Sequence, residues 1–215
     1  MLQFKNANEL FEYAYWLIMH NGLEKAGTKY VNNFAATILN PLDNIITNEK
    51  RKWKKDYADI EWQWYLSQDR NVEQLVKHAK IWDKMHNGDY IVNSNYGWQI
   101  NRNDQLDKVI NMLIKEPDTR RAVLSIYDGK EISQYEFDTP CTLSLHFYTS
   151  YVNFNRLLNM TVYMRSNDLV YGFCNDQYCF SKILEHVAKM TNSLVGNYTH
   201  IATDMHIYKR HFNLI

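Results

Sequence analysis

Residues 164–176 read Met164-Arg165-Ser166-Asn167-Asp168-Leu169-Val170-Tyr171-Gly172-Phe173-Cys174-Asn175-Asp176. An apolar run over Leu157–Arg165 has strand character and ends here in a row of long or polar side chains. Helical period takes over from Asp176 to Leu194, where Phe180, Ile183, Leu184, Val187 and Ala188 share one face. A strand-end loop that feeds a helix N-terminus is a natural seat for a phosphate or another polar ligand, because free backbone N–H groups point at it. The same composition also suits a plain solvated loop.

The rest of the chain supplies the partners of this unit. From Asn8 to Met19 apolar residues fall at helical spacing, and Asn21-Gly22 is a natural stop. Residues 24–50 read as irregular or strand-like. Helices are predicted over 57–67 and 69–84, the second capped by Asp69. Residues 93–100 are turn-rich. Asp104–Lys115 is amphipathic, with Leu106, Val109, Ile110, Leu113 and Ile114 on one face, and Pro117 ends it. Strands are predicted at Arg121–Tyr127 and Thr142–Thr149, and a last one from about Tyr198 to Tyr208. This order gives an α+β fold, a mixed and largely non-alternating β-sheet flanked by helices.

The bulk numbers narrow the function classes. A chain of 215 residues suits a single domain, 1–215, with a sizeable core. The formal net charge is +0, so no basic field favours a nucleic-acid polymer, while a small anion needs only a few local cations. Three cysteines, Cys141, Cys174 and Cys179, form neither a disulfide framework nor a zinc spacing, which favours a reduced, cytoplasmic setting without a metal. The N-terminal residues lack the pattern of a signal peptide, and no run is apolar enough to span a bilayer.

Four groups can carry chemistry. Cys141 follows Pro140 at the mouth of a predicted strand; it suits a nucleophile if a cation stands near, and otherwise a small buried hydrophobe. Arg165 opens the polar loop. Arg120-Arg121 suits bidentate phosphate contacts, although paired basic residues at a helix end also simply face solvent. His206 and Tyr208 share one face of a strand, either to bond a sugar hydroxyl or as half-buried core.

In this order, Pro140-Cys141, Arg165-Ser166-x-Asp168, Gly172, Asp176 and His206-x-Tyr208 resemble the thymidylate synthase family. Glu61 to Leu66 resembles the family's catalytic-glutamate helix, Ile81-Trp82-Asp83 its folate-side tryptophan segment, Tyr96-Gly97 its tyrosine-glycine segment and Arg120-Arg121 its arginine pair. The resemblance runs collinearly over roughly residues 57–211; before residue 50 only Lys25-Ala26-Gly27-Thr28 resembles the family's phosphate loop, with Lys25 where the synthases have arginine. Asn93 to Trp98, Met164 to Asp168 and Asp176 look like the deoxycytidylate hydroxymethylase branch known from phages.

That resemblance implies a set of roles. Cys141 attacks carbon 6 of a pyrimidine nucleotide, and Arg165 activates it and binds phosphate. Lys25 and Ser166 contact the nucleotide, Arg120 and Arg121 cross to a partner's phosphate in a homodimer built on a sheet face, and His206 and Tyr208 hold the deoxyribose 3′-hydroxyl. Glu61 and Tyr96 move protons at carbon 5 through water. Asp168, Trp82 and Gly172 lie on the side of the co-substrate, 5,10-methylenetetrahydrofolate. Water completes the reaction in a hydroxymethylase, hydride in a synthase. The family's C-terminal tail, which closes over the folate, is expected to be absent from a chain that stops at Ile215. Cys174 and Cys179 match no functional position and read as structural.

Asp176 stands where the synthases have an asparagine that reads uracil. Cytosine offers an amine donor and an unprotonated ring nitrogen; a carboxyl carrying one proton answers both, and drawing that proton toward the ring makes carbon 6 more electrophilic. The expected activity is folate-dependent hydroxymethylation of dCMP. The alternatives are a thymidylate synthase acting on dUMP, a CMP hydroxymethylase, and a non-catalytic nucleotide-binding homologue.

Overall fold

The longest strand is β8, and the sheet is assembled around it. In chain order the elements are β1 (Leu2–Phe4), α1 (Ala7–Asn21), β2 (Leu23–Lys25), β3 (Thr28–Ile38), α2 (Lys55–Ser67), α3 (Glu73–Val76), α4 (Tyr96–Asn101), α5 (Gln105–Lys115), β4 (Val123–Ser125), β5 (Thr142–Val152), β6 (Asn155–Met164), β7 (Asn167–Asp168), α6 (Cys174–Met190) and β8 (Leu194–Tyr208). The structure is a computed structural model and describes residues 1–214. The sheet runs β1-β3-β8-β6-β5-β4, with β2 paired to β3 and β7 to β8. β8 is parallel to β6 and antiparallel to β3, so the sheet is mixed and the fold is α+β.

The pairing register explains which face is covered. Leu145, Val162, His200 and Ala36 form one cross-strand row, and Phe147, Met160, Tyr198 and Ile38 the next. All of these are buried, against the apolar faces of α1 (Leu10, Phe11, Ala14, Ile18) and α6 (Phe180, Ile183, Leu184, Val187). Each such large side chain contributes about 1.5–3 kcal/mol when fully buried. The intervening rows hold small or polar residues, Thr37, Thr199 and Thr161 among them, and include exposed Val123, Tyr148 and Tyr163. β6 is continuously buried from Leu158 to Val162, as its non-alternating sequence implies, whereas β5 alternates.

Two local expectations are corrected. Residues 69–84 do not form one helix; only α3 and a single 3-10 turn at Trp82–Lys84 are helical. Asp69 caps no helix but accepts from the Asn71 N–H at 3.0 Å, Asn71 pairs with Ile91, and the Trp64 indole donates to the Asn71 carbonyl. These tertiary contacts override helix propensity. Conversely, the turn-rich stretch 93–100 contains α4. Asn95 is its N-cap, accepting from the Trp98 N–H at 2.8 Å, so residues that favour turns here begin a helix.

Candidate active site

The cysteine loop is fixed before its chemistry begins. Asp138 is 2% exposed and accepts from the N–H groups of Asn93 and Ser94, each at 2.6 Å, and from the Ser94 hydroxyl at 2.7 Å. The Asn93 amide donates back to the Asp138 carbonyl. The segment before Cys141 is thereby joined to the segment before α4. Gly97 lets α4 lie directly on α2: a Cβ there would stand 1.8 Å from the Tyr65 carbonyl oxygen. This packing brings Tyr96 to the start of β5, where its hydroxyl receives the Thr142 N–H at 3.4 Å.

Arg165 holds the other side of the same loop. Its N–H donates to the Cys141 carbonyl at 2.9 Å, and its guanidinium to the carbonyls of Pro140 (3.1 Å) and Thr139 (2.8 Å). The guanidinium also lies 3.7 Å from the Cys141 sulfur. Burial pushes the Cys141 thiol up to about 11, opposed by the charge of Arg165 and assisted by Asp176, Asp138 and Asp168. The resting thiol is protonated, and Arg165 is the group that favours its thiolate.

Two buried carboxyls lie behind this loop, of which Asp176 acts on the thiol and Glu61 acts on Asp176. Asp176, in the first turn of α6, accepts from the Asn167 amide at 2.7 Å, and burial lifts its carboxyl to about 7. Gly172 permits that contact, since a Cβ there would meet the Asn167 amide nitrogen at 2.8 Å and an Asp176 oxygen at 3.3 Å. Glu61 on α2 is lifted to about 8 by burial and then by Asp176, against a hydrogen bond with Tyr57. Both carboxyls therefore carry protons near neutral pH, the property a general acid needs.

The remaining predicted residues fall on the rim. Asp168 is raised by burial and caps the Val170 N–H at 2.9 Å. β7 sets Asp168 opposite His206 on β8. His206 bonds Asp204 at 2.9 Å and packs edge-on to Tyr208, and Lys25 reaches the other oxygen of Asp204 at 3.0 Å. Ser166 is half-buried beside Arg165. The half-buried Trp82 donates to the Tyr57 hydroxyl, which places it against the helix that carries Glu61. Arg120 and Arg121 are not drawn in. Both are exposed, and Arg121 pairs with Glu116 at a shallow hollow also lined by Lys108 and Lys115. Cys174 and Cys179 are fully buried in α6. Among the described residues no group of three or more His, Cys, Asp or Glu side chains is placed to hold a metal, and no helix is long and apolar enough to cross a membrane.

Sequence reasoning missed Asn167, Asp138 and Asn93. Each is an Asn or Asp in a stretch whose sequence reads as loop, where a local turn is the ordinary explanation. Only burial distinguishes them, at 2%, 2% and 6% exposed.

The family model for thymidylate synthase matches residues 16–215. The chain belongs to the thymidylate synthase family. Its relatives include thymidylate synthase 1 of Bacillus spizizenii, 26% identical over 178 residues that cover 79% of this chain and 62% of that protein. They also include the deoxycytidylate 5-hydroxymethyltransferase of Enterobacteria phage T4, 29% identical over 177 residues that cover 74% of this chain and 70% of that protein. The chain thus spans about three-fifths of the length of the Bacillus spizizenii synthase. In three dimensions it is similar to the thermostable thymidylate synthase A of Bacillus subtilis, with a TM-score of 0.74 at 23% identity, covering 96% of this chain and 81% of the other. That likeness establishes the thymidylate synthase fold, with the helices α1 and α6 against the mixed sheet and α2 packed on α6.

Proposed function

We propose that this chain is a folate-dependent hydroxymethylase of dCMP, converting it with 5,10-methylenetetrahydrofolate and water into 5-hydroxymethyl-dCMP and tetrahydrofolate. One observation carries the choice of base: a protonatable carboxyl, Asp176, is buried beside Cys141 where an amide would read uracil. The protonated form donates to the ring nitrogen of cytosine while its second oxygen accepts from the amine. Uracil would set its carbonyl oxygen against that second oxygen and lose about 1–3 kcal/mol.

The residues divide the work. The Cys141 sulfur forms a bond to carbon 6 of the pyrimidine as its proton leaves to a neighbouring base, and Arg165 stabilises the thiolate and the phosphate. Glu61 and Tyr96, both buried, hold the protons exchanged at carbon 5. Ser166, Lys25, His206 and Tyr208 line the sugar and phosphate side. The folate supplies the one-carbon unit when bound. Its N–H-rich ring fits an acceptor such as Asp168, which caps Val170 with only one of its two oxygens, and Trp82 would flank it, with Gly172 keeping the floor close.

Residues 1–215 act as one catalytic domain in this reading. A homodimer across the sheet face that exposes Val123, Tyr148 and Tyr163 would carry Arg120 and Arg121 to the partner's phosphate. Thymidylate synthesis from dUMP is the second reading, favoured by the synthases among the relatives. Incubation with the folate and either nucleotide, with products identified by mass, separates the two. Release of hydrogen from carbon 5 of the nucleotide separates both from a non-catalytic binder.

A further inference from the structure

We infer that Asn167 is a specificity-determining positioning residue, which fixes the oxygen of Asp176 that carries the proton and thereby makes the carboxyl a reader of cytosine. The inference rests on the base-reading role of Asp176 and deepens it.

The geometry is specific. The Asn167 amide nitrogen donates to Oδ2 of Asp176 at 2.7 Å. An oxygen that faces an N–H cannot also point a proton at it, so a protonated Asp176 carries its hydrogen on Oδ1. Oδ2 keeps a lone pair for the exocyclic amine of cytosine. Without Asn167 the two oxygens become equivalent and half of the protonated population presents the wrong edge.

Asn167 is committed to this task. It sits at 2% exposure on β7, its own Oδ1 is buried without a partner, and the Cα of Gly172 lies so close that any Cβ would displace the amide. A buried amide retained with one unsatisfied acceptor costs stability. Its position is explained by the single hydrogen bond it makes.

The groups facing Asp176 are Glu61 and Tyr65 on α2, Tyr96 on α4, Cys141 before β5, Asp168 on β7 and Tyr198 on β8, with Cys174 and Cys179 on its own helix. None is a cation. Among the described residues, the Asn167 amide favours the ionised form of Asp176, against the effects of burial and Asp168. Its removal moves the titration of Asp176 upward.

Two variants test this, Asn167→Leu, which deletes the donor, and the isosteric Asn167→Asp, which replaces it with an acceptor and preserves the packing volume. The first readout is the carboxyl titration of Asp176 by 13C NMR in the nucleotide-free protein, assigned with Asp176→Asn. The second is kcat/KM for dCMP and for dUMP against pH. Asn167→Leu is expected to raise the Asp176 titration, move the alkaline limb for dCMP to higher pH, and lower the dCMP-to-dUMP selectivity roughly ten-fold or more. Asn167→Asp is expected to lose more, because a second carboxyl draws the proton to the wrong oxygen. An unchanged titration in both variants overturns the link between the two residues. A moved titration with unchanged selectivity overturns the specificity role. A wild-type protein that turns over dUMP alone overturns the base reading itself, and the titration still reports whether the two side chains are coupled.

Discussion

Replacing Glu61 with glutamine should stabilise the nucleotide-free protein while removing its activity, and the stabilisation should depend on pH. Glu61 is 5% exposed, and its carboxyl stands at about 8, raised first by burial and then by Asp176. A carboxyl raised in the folded state loses stability as pH rises, across the window in which the unfolded chain is ionised and the folded one is not. The cost is small below the unfolded value of 4.5, grows as pH rises, and levels off above the folded value of about 8. At pH 7 the difference amounts to about 3 kcal/mol, from 1.36 kcal/mol per pH unit; at pH 5 it falls below about 1 kcal/mol. Glutamine keeps the shape and removes the titration. Urea unfolding of wild type and Glu61→Gln at pH 5, 6, 7 and 8 should show a gap that widens with pH, and carbon-5 hydrogen release should be lost throughout. A gap that is constant with pH, or a variant less stable at pH 8, would refute the assignment of Glu61 as a buried neutral acid.

Other predictions follow from the same geometry. Asp176→Asn removes the titrating proton and leaves two facing amides, that of Asn167 and the introduced one, which can turn together; the dCMP-to-dUMP ratio of kcat/KM should fall about ten- to hundred-fold, and a retained cytosine preference would defeat the base-reading account. Cys141→Ser should abolish turnover while equilibrium dialysis still detects nucleotide binding. Alkylation of Cys141 should accelerate with pH toward about 11, and Arg165→Gln should move that profile upward because the guanidinium is the group that favours the thiolate; an unmoved profile would remove Arg165 from thiol activation.

The sequence made the periodic elements legible. α1, α5, α6 and β8 are found where helical or strand period announces them, because each buries one regular face, although α6 ends at Met190 and β8 already begins at Leu194. Residues 69–84 failed for the opposite reason: their order comes from the Trp64 indole and the Asn71–Ile91 bridge, partners distant in sequence. The residues of the site were legible as types in a family order, whereas their supports were not. Asn167 and Asp138 resemble turn residues until burial shows that one grips Asp176 and the other joins Asn93 and Ser94 to the cysteine loop. The thiol value of Cys141 is likewise a property of packing, with no trace in Pro140-Cys141-Thr142 alone.

The central claim is the identity of the base and of the product. The direct measurement is mass analysis of products after the protein is incubated with 5,10-methylenetetrahydrofolate and either dCMP or dUMP. Hydroxymethyl-dCMP from the first nucleotide, with no thymidylate from the second, is the predicted result. Thymidylate from dUMP with dCMP left unchanged would contradict the account and return Asp176 to an unexplained position.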